Sequence, residues 1–184
     1  MRSTGRVEQL LNRAAAREVV VRHPESSIRW LEHDYLASLA RWNYHPEYEI
    51  HLIRRSTGRF IVGDHIGSFS PGHVALVGAG LPHDWISDLK PSEVTRDRDA
   101  AVQFTGAWVE RASVEMPELR ELRPLLEQSS RGIQFIGRTA VDAAEAIEAM
   151  APTTPNGDSS ATSSSATWTR RSPSANGLGS AWWA

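Results

Sequence analysis

Residues 42–85, WNYHPEYEIHLIRRSTGRFIVGDHIGSFSPGHVALVGAGLPHDW, decide the fold class of this chain. Four polar residues alternate along their first part, at His45, Glu47, Glu49 and His51. Because alternate residues of a β-strand point to the same face, this spacing predicts a strand over residues 47–53 with its polar side chains on one side. His83 follows behind several turns. The pattern is typical of a β-barrel that directs polar groups towards one interior point.

Glycine and proline mark turns between short apolar or alternating runs along most of the chain. These runs predict strands at residues 18–22, 28–36, 47–53, 59–62, 67–69, 74–77 and 101–104. Many short strands separated by turns are typical of a sandwich or a barrel. The sequence therefore predicts a mainly β fold of the jelly-roll type.

The pattern becomes helical after residue 104. Three leucines recur at every third position behind Pro117, at Leu119, Leu122 and Leu125. Because proline within a helix removes a backbone hydrogen bond, Pro124 is expected to interrupt this helix and leave two short turns. Residues 132–136 are predicted to return to the sheet.

A final helix is predicted from Thr139, as the N-cap, to Met150, with Asp142 near its positive end. Its narrow apolar stripe consists of Val141, Ala144 and Ile147. From the residues alone, the expectation is that this stripe packs on the chain's own barrel.

Composition limits the class of protein. A chain of 184 residues that is 40% hydrophobic can bury one ordinary core, with little room for a second. The absence of cysteine excludes disulfides, thiolate nucleophiles and cysteine metal sites. A net charge of −2, without a basic stripe, argues against direct contact with nucleic acid. No signal peptide or membrane span is recognisable, so a soluble cytoplasmic protein is expected.

The last part of the chain, residues 151–184, is dominated by Ser, Thr, Ala, Pro and Gly and has no apolar period. This composition predicts a disordered tail. The basic residues are nearly all arginine, with Lys90 the only lysine, which suggests a GC-rich gene. The hypothesis is that the tail is an out-of-frame translation or marks a natural truncation, with a Ser/Thr-rich linker as the alternative. The expected organisation is a lead-in at 1–17, one domain at 18–150 and the tail at 151–184.

Three blocks within the domain carry a family resemblance: WNYHPEYEIHLI, TGRFIVGDHIGSF and SPGHVALVGAGLPHDW. In their order and spacing they resemble the cupin barrel of AraC-type transcriptional regulators, over roughly residues 18–150. The resemblance implies a cytoplasmic, effector-sensing and dimerising domain, with a homodimer face on Val141, Ala144 and Ile147. In that family a separate C-terminal helix-turn-helix domain binds DNA, and no such domain is expected within these 184 residues.

The resemblance also implies a candidate site in the barrel. By comparison with the cupin motifs, His45, Glu47, His51 and His83 would hold a divalent transition metal, if one is bound, and imidazole and carboxylate groups suit such ions. The same groups suit the hydroxyls of a sugar-like effector. Trp30, Trp42 and Trp85 offer apolar faces to a ring, and Arg41 could bind a carboxylate or sugar oxygen. The alternative is that the four polar residues form the solvated face of an antiparallel sheet, with the tryptophans in the core.

Three functions remain open from the sequence. The first is the effector-sensing, dimerising domain of an AraC-type regulator, which is not an enzyme and binds a small molecule. The second is a small metal-dependent cupin enzyme of the oxygenase or isomerase type. The third is a pseudogene product, a folded barrel without a ligand. The identity of the effector cannot be deduced, because side chains tune such pockets within one fold.

Overall fold

The computed structural model describes residues 3–10, 13–21, 26–35, 41–90 and 93–152. The predicted disordered tail lies almost wholly outside these residues, as do His23 and Pro24 of the first predicted turn. Within the described residues, no helix is both long and apolar enough to cross a membrane.

The described chain forms two five-stranded sheets. The first sheet, in spatial order, consists of β1 (Ala16–Arg17), β3 (Asn43–Tyr44), β8 (His83–Ser87), β5 (Gly58–Val62) and β6 (His65–Phe69). The second consists of β10 (Ile133–Phe135), β7 (Val74–Val77), β4 (Tyr48–Ile53), β9 (Thr95–Phe104) and β2 (Ile28–Tyr35). Its strands pair antiparallel throughout, and in the first sheet only β1 and β3 are parallel. The chain crosses repeatedly between the sheets, which confirms the predicted mainly β, barrel-like fold.

Four helices complete the described fold: α1 (Ser3–Leu10), α2 (Gly106–Glu115), α3 (Leu122–Gln128) and α4 (Gly137–Ala149). Short 3-10 turns at Pro117–Glu121 and Ser129–Arg131 flank α3. Helices α2, α3 and α4 pack on the outer face of the second sheet, and α1 packs on the first sheet through Val7.

Strand β4 divides the core into two layers. Its Ile53 lies between the sheets with Phe60, Val62 and Trp85. Its alternate residues Ile50 and Leu52 face outward, where the helices cover them. Glu49 and His51 therefore also point inward, because they occupy the same alternating positions of β4 as Ile53.

Several local expectations are corrected. The strand predicted at 18–22 is replaced by the two-residue β1, and β3, β8 and α2 were not predicted. The N-cap of α4 is Ile136, so Thr139 lies inside the helix and does not cap it. Pro124 is the third residue of α3 and does not interrupt it, because the first-turn N–H groups have no acceptor within a helix. The two short turns expected there correspond to the 3-10 turn and α3.

Gly58 allows β5 to approach its neighbour closely. A Cβ atom added at Gly58 would lie 2.0 Å from the carbonyl oxygen of Ile86 and 2.9 Å from Cζ of Phe69. Because the first contact is with backbone, Gly58→Ala is expected to lower the free energy of unfolding by about 3 kcal/mol, at the upper end of overpacking effects. Urea denaturation measures this loss. The control is Ser68→Ala, at the exposed position of β6, expected within about 0.5 kcal/mol of the parent; equal effects of the two variants would contradict the prediction.

Candidate functional site

A polar cluster lies inside the barrel. The side chains that alternate along the quoted stretch are all buried, with exposed fractions of 2% for His45, 3% for Glu47, 4% for Glu49 and 6% for His51. His83 from β8 and Gln103 from β9 are buried beside them. The solvated-face interpretation is therefore wrong: the helices cover the apolar face of β4, and the polar face points inward.

Glu49 is the centre of this cluster. Its carboxylate lies 3.2 Å from Nε2 of His45 and 2.7 Å from Nδ1 of His51, and it accepts a hydrogen bond of 2.8 Å from the Gln103 amide. Nε2 of His83 lies 3.8 Å from the same carboxylate. Burial alone would raise the pKa of Glu49, but the hydrogen bonds from His45 and His51 hold it well below its ordinary value. Glu49 is therefore an anion in a closed interior.

Backbone carbonyls fix the orientation of two imidazoles. Nδ1 of His45 lies 3.2 Å from the carbonyl oxygen of Glu47, and Nδ1 of His83 lies 2.8 Å from that of Leu81. Since a carbonyl only accepts, both Nδ1 atoms carry the proton, and both Nε2 atoms face Glu49. Burial lowers the pKa of His83 to about 4, so its Nε2 is a lone-pair donor. Burial opposes the charge of His45, but the hydrogen bond to Glu49 and its charge raise the pKa of His45.

A second polar layer adjoins the first through His51. Its ring stacks on Trp85 at 4.1 Å between centroids, and its Nε2 lies 3.4 Å from the Asp99 carboxylate. Asp99 also contacts Nε of Arg98 at 2.6 Å and Nδ1 of His33 at 3.0 Å. Although burial opposes charge on His51, Asp99 and Glu49 raise its pKa to about 9. His51 is thus a cation shared between two carboxylates.

A small cavity opens among these groups, with a volume of about 50 Å³. Its lining residues include Glu49, His51, His83 and Gln103, together with Glu18, Arg41, Asn43 and Asp84. A water occupies about 30 Å³ in the liquid, whereas drug-sized ligands use pockets of about 300 Å³ or more. In this conformation the cavity has room for one ion or for one or two water molecules. A sugar ring would fit only if the residues that line the cavity moved apart.

The predicted ligand contacts divide into two groups. His45 and Glu47 are buried but are not among the residues that line the cavity, whereas Trp85, Arg41, His51 and His83 line it. Trp30 and Trp42 do not: the indole N–H of Trp30 donates to the carbonyl of Ile147 under α4, and Trp42 packs against the α1 cluster while donating to Arg13. These two tryptophans are structural in the described chain.

The residues that the structure brings together differ from the predicted metal ligands in their carboxylate, and they do not include His51. One ligand atom from each of His45, Glu49 and His83 lies within 4.8 Å of the others. Glu47 is buried near Nδ1 of His45 rather than Nε2, and His51 is engaged with both carboxylates. Two Nε2 atoms and a carboxylate suit a divalent transition metal, and the carbonyl partners of both Nδ1 atoms are the outer contacts that such imidazoles need. The residues therefore fit a metal ion, with Glu49 in the place expected for Glu47.

The predicted dimer residues lie on α4 with different exposures. Ile147 is 3% exposed and packs on the second sheet with Ala144, whereas Val141 is 50% exposed. Ile147 therefore belongs to the core of its own domain, and its assignment to a dimer face is corrected. Val141 is the one residue of the three with substantial free surface.

The buried histidines predict an optimum in the pH dependence of stability. His51, with its pKa raised from 6.5 to about 9, contributes stability that is fully present below pH 6.5 and lost as the pH rises through about 9. Burial lowers the pKa of His73 and of His83 to about 4, so their contribution is present above pH 6.5 and lost on acidification towards 4. Stability should therefore be greatest near pH 6.5.

The alkaline side of this profile can be assigned by mutation. Urea denaturation should show a decrease of about 1–3 kcal/mol in the free energy of unfolding between pH 6.5 and 9. His51→Gln should remove most of this decrease, because glutamine does not titrate. An unchanged decrease in His51→Gln would contradict the assignment.

Comparisons with known proteins give little beyond the fold. No family model matches the chain, and no curated protein is significantly similar to it. Among solved structures, it is similar to ToxT from Vibrio cholerae O395 bound to (E)-4-(8-methylnaphthalen-1-yl)but-3-enoic acid, with a TM-score of 0.40 and 9% sequence identity. The match covers 70% of this chain and 50% of the ToxT chain, so the present chain spans about half of that protein. The function is therefore argued from the site itself.

Proposed function

We propose that this chain is the effector-sensing domain of an AraC-type transcriptional regulator, which binds a small molecule inside its barrel and performs no catalysis. The three sequence blocks that resemble this family fall on β3–β4, β5–β6 and β7–β8. Two of these blocks supply most of the polar cluster, since His45, Glu49 and His51 lie in the first and His83 in the third, while Gln103 joins it from β9.

The buried cluster centred on Glu49 is the observation that carries this proposal. Burying charged and polar groups costs free energy that an apolar interior would not cost, and apolar replacements of buried ion pairs are often neutral or stabilising. A barrel that needed only to fold could fill this space with residues like those around Phe60. A binding role explains why the interior instead holds His45 within hydrogen-bonding distance of Glu49 and His83 within 3.8 Å of it.

The chemistry of the cluster favours a neutral or cationic effector that is rich in hydrogen-bond donors. Nε2 of His83 and the oxygens of Glu49 are acceptors, while the amide of Gln103 is already donated to Glu49. Hydroxyl or ammonium groups complement such a surface, and an anion does not. A sugar-like polyol fits this description, with Trp85 beside it as the apolar face, provided that the cavity widens on binding.

A thermal-shift panel tests the proposal on the full chain. The panel contains neutral sugars and polyols, primary amines, and sugar acids as the anionic comparison. A ligand present at about 100 times its Kd stabilises the folded state by about 2.7 kcal/mol, so a hit is readily visible. We expect a hit among the neutral or cationic compounds and its loss in Glu49→Gln. Stabilisation only by the sugar acids, or equal stabilisation of Glu49→Gln, would contradict the proposal.

Homodimerisation is part of the same proposal. Val141 is exposed on α4, and the neighbouring Ile136 is 53% exposed, so this end of the helix offers an apolar surface to a second copy. Sedimentation equilibrium should show a dimer that Val141→Asp weakens. A protein that stays monomeric at micromolar concentration would contradict this part of the proposal.

A metal-dependent enzyme is the second candidate, favoured by the convergence of His45, Glu49 and His83 within 4.8 Å. A bound divalent ion would supply a Lewis acid or an activated water. This candidate predicts that the purified chain retains about one metal ion per molecule and that His83→Ala loses it. Metal analysis that finds no ion, together with no binding of added Zn²⁺ or Mn²⁺, would exclude it.

A further inference from the structure

We infer that Arg54 couples the interior cluster to the C-terminal turn of α4, so that a change of partners at Glu49 or His51 is transmitted to that helix. The inference rests on the proposed function for its biological meaning, since α4 follows the barrel. Arg54 lies outside the barrel. Its side chain binds Glu148 and Glu32, and neither of these residues lines the cavity.

The inner half of the route consists of charged contacts. Glu49 binds His51 at 2.7 Å, and His51 lies 3.4 Å from Asp99. Asp99 holds the guanidinium of Arg98, whose Nη1 also donates to the carbonyl of Trp85 at 2.7 Å. Arg98 is 4% exposed, so its position is fixed by these partners rather than by solvent.

The backbone of Arg98 then connects to Arg54. The carbonyl oxygen of Arg98 accepts hydrogen bonds from the backbone N–H groups of Arg54 at 2.9 Å and Arg55 at 3.2 Å. Ile53 is paired with Asp99 in the register of β4 and β9. A shift of the Asp99–Arg98 pair therefore moves the strand end that carries Arg54.

The side chain of Arg54 completes the route to α4. Its Nε and Nη2 bind the two carboxylate oxygens of Glu148 at 2.6 and 2.5 Å, and its Nη1 binds Glu32. The guanidinium lies 5.6 Å from the ring centroid of Trp30. The indole N–H of Trp30 in turn donates to the carbonyl of Ile147 at 2.9 Å. Arg54 thus binds Glu148 of α4 directly and lies over Trp30, which binds the carbonyl of Ile147.

This arrangement is more than α4 needs for attachment. Ile147, Ala143, Ala144 and Met150 already bury the apolar side of the helix on the sheet. Glu148 is 45% exposed on its side chain, and such ion pairs contribute little to stability. Because the apolar side keeps α4 attached, the contact of Arg54 with Glu148 is free to respond to a shift of the strand end without detaching the helix.

A double-mutant cycle read by hydrogen exchange tests the coupling without an effector. The full chain is compared as parent, Asp99→Asn, Arg54→Lys and the double variant, and exchange is measured over the peptide that contains α4. We expect Asp99→Asn to accelerate exchange in the last turn of α4 by about threefold when Arg54 is present and to leave it nearly unchanged in the Arg54→Lys background. Arg98→Lys provides the same comparison if Asp99→Asn does not fold.

The matched control is Arg138→Gln, which removes the other arginine contact of α4, an exposed pair with Asp142 inside the helix. If the route depends on Arg54, Asp99→Asn should still accelerate hydrogen exchange in the last turn of α4 by about threefold when Arg138 is replaced by glutamine. Equal acceleration with and without Arg54, or acceleration confined to β4 and β9, would overturn the inference. Because no effector is used, such a failure is distinct from a failure of the thermal-shift panel.

Discussion

Arg98→Met is expected to lower the free energy of unfolding by about 3–5 kcal/mol, because it leaves the carboxylate of Asp99 buried with reduced compensation. Asp99 is 0% exposed, and Arg98 supplies its contacts at Nε and Nη2. Methionine fills a similar volume, so the loss reports the missing charge and hydrogen bonds rather than a cavity. Urea denaturation at pH 6.5 measures the loss where His51 still carries its charge.

The control for this prediction is Arg138→Met. That arginine is 80% exposed on its side chain and pairs with Asp142 on the same helix, so its loss should change stability by no more than about 0.5 kcal/mol. If Arg98→Met costs no more than the control, the remaining contacts of Asp99 compensate its burial, and the interior is less tightly coupled than the distances indicate.

The second large effect concerns the cluster around Glu49. Glu49→Ala alone should destabilise the fold by about 3–5 kcal/mol, since it removes a shared partner from buried His45, His51 and Gln103. The triple replacement His45→Leu, Glu49→Met and His83→Leu removes three of the polar groups together but leaves His51 and Gln103 without Glu49. We expect that variant to be more stable than Glu49→Ala, because His45 and His83 no longer need a polar partner, and to remain folded.

The triple variant separates function from folding. If the cluster exists to bind an effector, the variant keeps its fold and loses every ligand response of the parent. Circular dichroism and the same thermal-shift panel provide the two readouts. The triple replacement leaves the residues of the Phe60 core unchanged. If the variant nevertheless fails to fold, the cluster is structural, and the proposed role is contradicted.

The sequence predicted that polar residues share a face but could not say which face is buried. Parity alone places Glu49 and His51 together; their direction depends on α2, α3 and α4 covering Ile50 and Leu52. Helix α2 was not predicted, so the solvated face remained an equal interpretation. The location of the helices, which arises from long-range packing, decided the question.

The alternation of strand positions also did not distinguish Glu47 from Glu49, because both residues lie on the same face. Both are buried, but Pro46 and the entry into β4 place Glu47 beside Nδ1 of His45, while Glu49 reaches Nε2. Gln103 and Asp99 were missed because they contact the cluster from β9, a strand distant in sequence. Their one sequence signal was a polar residue within an otherwise apolar strand and a charged run before it.

The tryptophans show the limit of composition-based inference. Trp30, Trp42 and Trp85 are equivalent as residue types, yet only Trp85 lines the cavity. Trp30 faces α4 because it is paired with Val102 in the register of β2 and β9, and Val102 lies in the outer cluster with Ile147. Which face a tryptophan takes followed from strand register, and register was not available from local patterns.

Imidazole nitrogen NMR of the ¹⁵N-labelled full chain is the most direct test of the central claim, that small molecules bind at His45, Glu49 and His83. Spectra are recorded without ligand and with the compound that gives the largest thermal shift. We predict that the Nε2 resonances of His83, which lines the cavity, and of His45, which lies 3.2 Å from the lining residue Glu49, move on binding, while those of His65, which does not line the cavity, stay in place. A stabilising compound that leaves His45 and His83 unchanged would show that binding occurs elsewhere and would contradict the account.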